Sequence, residues 1–541
     1  MSTRSAAVGA ASGLVLLTLG AGQFLMTLDS SVMNVSMATV ASDLNTPITG
    51  IQTAITMYTL VMATLMITGG KIGSNIGRRR AFAIGCVIYA IGSFITGLAQ
   101  NLTTLLIGWS LLEGIGAALI MPAIVALVAS NFAAKERPRA YGLIAAAGAI
   151  AVALGPLIGG AATTYFSWRL VFFSESIIVA IILLLSRRIA DVPVVSKKPL
   201  DYVGTLLSVA GLGLAVYGVL RTSEWGWINP KPGGPEVLGL SPSFWLIITG
   251  SFIVWVFFQW EERVLAADKE PLVRADIFAS RHLNGGLIMF FFQFLLQSGV
   301  FFIIPLFLSV VLELSAIDTG VRLMPLSISL LLAAVAIPKV WPQASPRLVV
   351  RIGVFLMLLG ILALLSGIDI DSTAAVVAVP LAFLGLGMGA LASQLGSVTV
   401  SAVSDERSGE VGGLQNTATN LGASLGTALA GSMLIAVLTS SLITGIQSND
   451  QVPESVQQQA GIELASGVPF LSDTALATAM NDAGASPEVT EAVVMENQEA
   501  RVQGLDAALG VLAILALVSL VFTSRIPRVQ PGSSEIKPGV A

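Results

Sequence analysis

Two residue types that build catalytic centres are almost missing: the chain has one cysteine, Cys86, and one histidine, His282. A lone cysteine excludes an internal disulfide, and Cys86, inside an apolar run, reads as a small core residue. A lone histidine leaves no histidine-based metal site and no catalytic triad. Nor is there a phosphate-binding loop: the glycines around Lys71 run into arginines, not into Gly-Lys-Ser/Thr, so direct use of ATP is not expected. Charge is scarce too, 11% of residues against 55% hydrophobic, with a mean hydropathy of +0.85. That balance lies far outside soluble domains.

What is present is apolar length. At roughly 20 residues per crossing, spans are expected near 14–38, 51–70, 81–99, 103–129, 139–163, 170–186, 201–221, 243–261, 284–311, 318–338, 348–368, 374–400, 408–441 and 504–524. The first follows Arg4 but outruns a signal-peptide core and contains Asp29, so it reads as a retained helix. Fourteen spans put both termini on one side. Sorted by alternate loops, 23 of the 28 Lys and Arg fall on the side of the termini; the others are Arg169, Arg221, Lys231, Arg322 and Arg501. The positive-inside rule makes that side cytoplasmic.

The spans divide as six, two and six. Residues 1–190 are expected to form one bundle, 191–280 a linker (with Pro193 and Pro199) and an inserted helix pair peripheral to any pathway, and 281–541 a second bundle. The fold class is an all-α membrane protein. One long loop, 442–503, falls outside and is acidic. Ser486-Pro487-Glu488 has the form of a helix start, which predicts a helical hairpin there. The loop reads as a solvated surface or, alternatively, as a gate or cation-attracting vestibule.

Several segments carry a family signature. Ala151 to Gly160, with Gly155-Pro156 and Gly159-Gly160, combines a helix-bending proline with glycines that admit a neighbouring backbone. It resembles the antiporter signature of the major facilitator superfamily, with Ala151 at the first glycine. Leu28-Asp29-Ser30-Ser31-Val32-Met33-Asn34-Val35, Trp168-Arg169, Leu200-Asp201-Tyr202-Val203-Gly204, Glu270-Pro271-Leu272-Val273, Gly385/Gly387/Gly389 and Gly422/Gly426 are similar to segments of its fourteen-span drug:proton antiporter branch. The resemblance covers nearly the whole chain except 442–503. It implies two six-helix bundles plus an inserted pair, with alternating access between them.

Departures qualify it. Gly70 to Arg80, including Gly77, Arg78 and Arg79, matches the superfamily's loop signature, but Ser74 stands where an acid normally helps latch the helix ends, which removes a gating pair. Ser110 replaces the embedded arginine implicated in proton coupling, and Glu113 the usual glutamine. Coupling must then use other residues or be absent. Charged carboxylates near mid-membrane cost at least roughly 2.5–3.5 kcal/mol, which makes such acids functional candidates. Asp29 and Glu113 fall at the same depth, about 5 Å outside the midplane. In the resembled fold their spans line the central cavity, so the two are expected to face each other as a proton-exchanging pair that cannot comfortably be doubly ionised. Glu113 capping a neighbouring group is the structural alternative. Glu175, on a span read as peripheral, is expected to be structural.

Candidate substrate contacts are Asn34, Gln293 and Gln297 four apart on one helix face, and the similar pair Asn416 and Asn420; hydrogen bonding across helices is the plainer role for the last two. The expected function is export of amphipathic, cationic or neutral compounds from a bacterial inner membrane in exchange for protons. Export of one endogenous metabolite, such as an amino acid, siderophore or lipid, is the rival. An enzyme is not expected, nor a metal, cofactor or nucleic-acid partner. The partners implied are a small-molecule substrate, protons and the lipid bilayer, and the chain is read as a monomer.

Overall fold

In hydrocarbon a backbone N–H or C=O finds no water, so each apolar run must satisfy its own backbone as a helix. The computed structural model describes residues 2–46, 48–133, 136–191, 200–231, 233–370, 372–404, 407–454, 457 and 470–531, and has fourteen helices long and apolar enough to span a membrane. These match the fourteen expected spans. In chain order they are α1 (Ser2–Asp43), α2 (Ile48–Ile76), α3 (Arg78–Gly97), α4 (Leu102–Asn131), α5 (Arg137–Tyr165), α6 (Arg169–Ser186), α7 (Tyr202–Leu220), α8 (Pro242–Ala266), α9 (Arg281–Val311), α10 (Ala316–Val340), α11 (Pro346–Gly367), α12 (Ala378–Val400) and α13 (Ser408–Ser448). A short α14 (Asp473–Asp482) precedes α15 (Pro487–Phe522), the last span. Helix starts follow local chemistry: Asp201, Ser280 and Ser315 accept from the backbone N–H of Gly204, Leu283 and Asp318. Between α2 and α3, Gly77 has φ 102°, a turn that favours glycine.

The expected helical hairpin is present at the end away from the termini. α13 runs for 41 residues, about 60 Å at 1.5 Å each and roughly twice the hydrocarbon thickness. α15 begins at Pro487, capped by Ser486. The 442–503 loop is therefore partly the ends of two long helices. α14 docks on them: buried Arg501 donates to the Leu471 carbonyl at 2.8 Å and pairs with Asp473. Glu313 accepts from Thr474 N at 3.0 Å and Oγ1 at 2.7 Å, bonds that hold its carboxyl below the usual range. Glu463 of the loop, the linker residues Pro193, Lys197, Lys198 and Pro199, and Lys135 and Lys537 lie outside the described residues.

Within the first six helices α1 packs on α5, α3 on α4 and α6, and α2 on α4. Within the last six α9 packs on α13, α10 and α11 on α12, and α13 on α15. The two sets meet through α2 with α13 and α5 with α10 and α12. These meetings are close at the ends on the side of the termini. A Cβ on Gly70 would lie 2.5 Å from the Gly409 carbonyl, one on Gly413 2.9 Å from that of Met66, and one on Gly142 3.1 Å from that of Ala334. The inserted pair, read as peripheral, is less detached than expected: α7 packs on both α2 and α13, against the seam between the sets.

Candidate functional site: a buried carboxylate cluster

Asp29 of α1 and Glu113 of α4 do face each other, but with a third acid. Carboxylate oxygens of Asp29, Glu113 and Glu175 all lie within 4.8 Å of one another. The side chains are 0%, 0% and 1% exposed, so they sit inside the first six helices rather than lining an open cavity, which corrects the expected placement. Glu175 was read as structural on a peripheral span. On α6, however, Val171, Phe172, Glu175, Val179 and Ile182 form the buried stripe, while Ile177, Ile181 and Leu184 face outward. Lipid is as apolar as protein interior, so hydropathy alone did not distinguish the faces.

Local backbone explains how Glu113 reaches its partners. Leu106–Glu113 is a π-helical segment, a widened turn common at functional sites, which carries Trp109, Ser110 and Glu113 to the buried side. α3 and α4 cross on glycines: a Cβ on Gly92 would meet the Gly108 carbonyl at 2.7 Å and Glu113 Cγ at 2.8 Å. α1 and α5 cross likewise. A Cβ on Gly155 would overlap Ser31, and one on Gly159 would lie 3.2 Å from Val32 Cα. The antiporter-like glycines thus press α5 onto α1 just beyond Asp29, and the helix continues unbroken through Gly160. Pro156 lies outside the described side chains.

The cluster's hydrogen bonds are uneven. Trp109 Nε1 donates to Asp29 Oδ1 at 2.8 Å and Oδ2 at 3.0 Å, and its ring stacks on Tyr58 at 4.9 Å. Thr96 Oγ1 lies 2.9 Å from the Gly92 carbonyl and 3.0 Å from Glu113 Oε1. Ser93 Oγ lies 2.9 Å from the Phe172 carbonyl and 3.1 Å from Glu175 Oε2. Glu113 Oε2 and Glu175 Oε1 have no hydrogen-bond partner among the described residues. No Lys or Arg pairs with the three acids among the described residues. Ser110, in the place of the family's arginine, donates to the Ala54 carbonyl at 2.8 Å. The sequence reading missed Trp109 and the polar stripe Tyr89, Ser93, Thr96, whose spacing along one face of α3 was a usable signal.

The other candidates are dispersed. Asn34 is exposed and donates to the Ser30 carbonyl at 2.7 Å. Gln293 is buried with its Oε1 unpartnered, and Gln297 is half-buried. Asn416 bonds back to the Gly412 carbonyl, whereas Asn420 bonds the Asn416 carbonyl and Met66 Sδ of α2, across the seam. The loop motif is structural in detail. Arg78 donates to the Ala126 carbonyl, and Arg79 to those of Arg187 and Ile189, closing helix ends. No acid stands at Ser74, but the neighbouring Lys71 makes charged contacts across the seam, 3.4 Å from Glu410 of α13 and 3.0 Å from Glu270.

Comparison with known proteins agrees with this architecture. The family profile described as Major Facilitator Superfamily matches residues 19–427. The chain is 29% identical to the puromycin resistance protein pur8 of Streptomyces alboniger over 77% of itself and 80% of that protein. It is 25% identical to the drug efflux pump JefA of Mycobacterium tuberculosis over 95% and 98%. Among solved structures, the human organic anion transporter MFSD10 superposes with a TM-score of 0.55 at 13% identity, over 95% of this chain and 98% of that one. The chain, with fourteen candidate spans, therefore belongs to the Major Facilitator Superfamily, a family of membrane transporters and not of enzymes.

Proposed function

We propose that the protein exports amphipathic compounds across a bacterial inner membrane in exchange for protons, as a monomer with both termini in the cytoplasm. The drug-resistance relatives support the cargo class. One observation carries the coupling: Ser93 and Thr96 each hold a single hydroxyl proton between two acceptors, a backbone carbonyl and a glutamate. Both bonds form fully only when the glutamate supplies the second proton. Three unpaired carboxylates are also untenable together in a low dielectric unless protons, or a cation, lie among them. In this state Glu113 and Glu175 hold protons and Asp29, which receives the Trp109 N–H, is the acceptor.

Motion would follow from the Ser31–Gly155 crossing, which ties α1 to α5, and from α5's contact with α10 at Gly142. A change of charge at Asp29 thereby reaches the seam between residues 1–190 and 281–541, the two rocking halves, with 191–280 against that seam. Asn34, Gln293, Gln297 and Asn420 are the substrate contacts within this reading. The test is puromycin flux in proteoliposomes with and without an imposed pH gradient. Gradient-driven flux that Asp29→Asn abolishes supports it; equal flux in both conditions overturns the coupling.

A further inference from the structure

Several basic side chains on the face of the termini are used up. Lys71 is paired with acids, Arg407 with Asp276, and Arg78, Arg79 and Arg137 cap carbonyls. One group is different. Ser345, Arg347, Leu348, Arg351 and Arg528 line a cleft of about 430 Å³ where α11 begins and the chain emerges from α15. Arg347 Nε donates to the Ile526 carbonyl at 2.8 Å and Arg351 Nε to Thr523 Oγ1 at 3.2 Å, which fixes both stems. Their Nη atoms, and the whole Arg528 guanidinium, have no protein partner among the described residues, and no acid lines the cleft. Arg281 adds a further like charge beside Arg347. Like charges gathered without a counterion repel one another, and a fixed anion relieves that.

The surface below decides which anion. Leu348, Ile352 and Phe355, at helical spacing on α11, are 46%, 41% and 50% exposed, an apolar stripe running from the cleft along a membrane-spanning helix. A headgroup phosphate in the cleft would leave its acyl chains on that stripe. We propose that this cleft binds the phosphate of an anionic phospholipid, with Arg347, Arg351 and Arg528 as its ligands. Basic pockets between spanning helices suit such headgroups, and each arginine contributes about a fivefold gain in binding.

The test uses the full chain in detergent, titrated with phosphatidylglycerol or with phosphatidylethanolamine and read by native mass spectrometry. Phosphatidylglycerol should bind at least tenfold more tightly. Arg347 and Arg351 also hold the end of α15, so the deciding variant is Arg528→Gln, which breaks no protein contact and should weaken phosphatidylglycerol binding about fivefold. Arg322→Gln, the same charge change at the opposite end of the spans, should leave it unchanged. Equal binding of the two lipids, an unaffected Arg528→Gln, or an equal loss in Arg322→Gln overturns the site. Thermal stabilisation by inorganic phosphate as large as that by phosphatidylglycerol overturns the lipid in favour of a free anion.

Discussion

Lys71→Gln should open the face that carries the termini. The Lys71 ammonium is 3% exposed and lies between Glu270 at 3.0 Å and Glu410 at 3.4 Å, joining α2 to α13 where Gly70 meets Gly409. Removing it strands Glu410, 7% exposed, with only Arg407, at 3.6 Å, among the described residues. A stranded buried charge costs about 3–5 kcal/mol, and the remaining, partly exposed arginine reduces that to about 2–3 kcal/mol. The cost falls on the closed state alone, because opening lets water reach Glu410. Closure should therefore weaken about 30- to 140-fold. Ser74 reports it, since its Oγ would lie 3.0 Å from a Cβ on Gly409. With Ser74→Cys in a Cys86→Ala background, the maleimide labelling rate should rise by that factor in Lys71→Gln. Adding Glu410→Gln, which removes the stranded charge, should recover most of the protection. Unchanged labelling in Lys71→Gln, or a double variant more open than the single one, would refute the latch.

Glu113→Gln and Glu175→Gln should each weaken gradient-driven puromycin export and shift its pH dependence while membrane insertion is retained; full activity of the double variant, measured by proteoliposome flux, would remove both from the coupling. Trp109→Phe keeps the stack on Tyr58 but deletes the N–H to Asp29, about 1.5–3 kcal/mol for a bond to a charged group, and should lower the thermal midpoint and the export rate together. Cysteines at Ser74 and Ser472 should label from opposite faces of the membrane, and labelling of both from outside would refute the topology. Asp43 is held below the usual carboxylate range by hydrogen bonds from Arg169 and Trp168. The stability it contributes is present above its unfolded value and lost as pH falls through its folded one, so melting scans should be flat in this respect from pH 7 to 5 and decline only below about pH 4.

Length and hydropathy were enough for the number of spans, because a bilayer demands a minimum apolar run and leaves the backbone no alternative to a helix. That Asp29 and Glu113 lie level with each other also followed from counting residues along spans of known rise. The glycines at Gly155 and Gly159 announced a close crossing, though not that α1 would be the partner. Only tertiary structure could decide which face of each helix turns inward. Lipid and protein interior are equally apolar, so α6 gave no sign in its hydropathy that Glu175 joins the acids, nor α4 that a π-helical turn would aim Trp109 at Asp29. The Lys71–Glu410 latch is a contact between residues 339 positions apart. No periodicity encodes such a pair; it exists because α2 and α13 are brought together on glycines small enough for an ammonium and a carboxylate to meet.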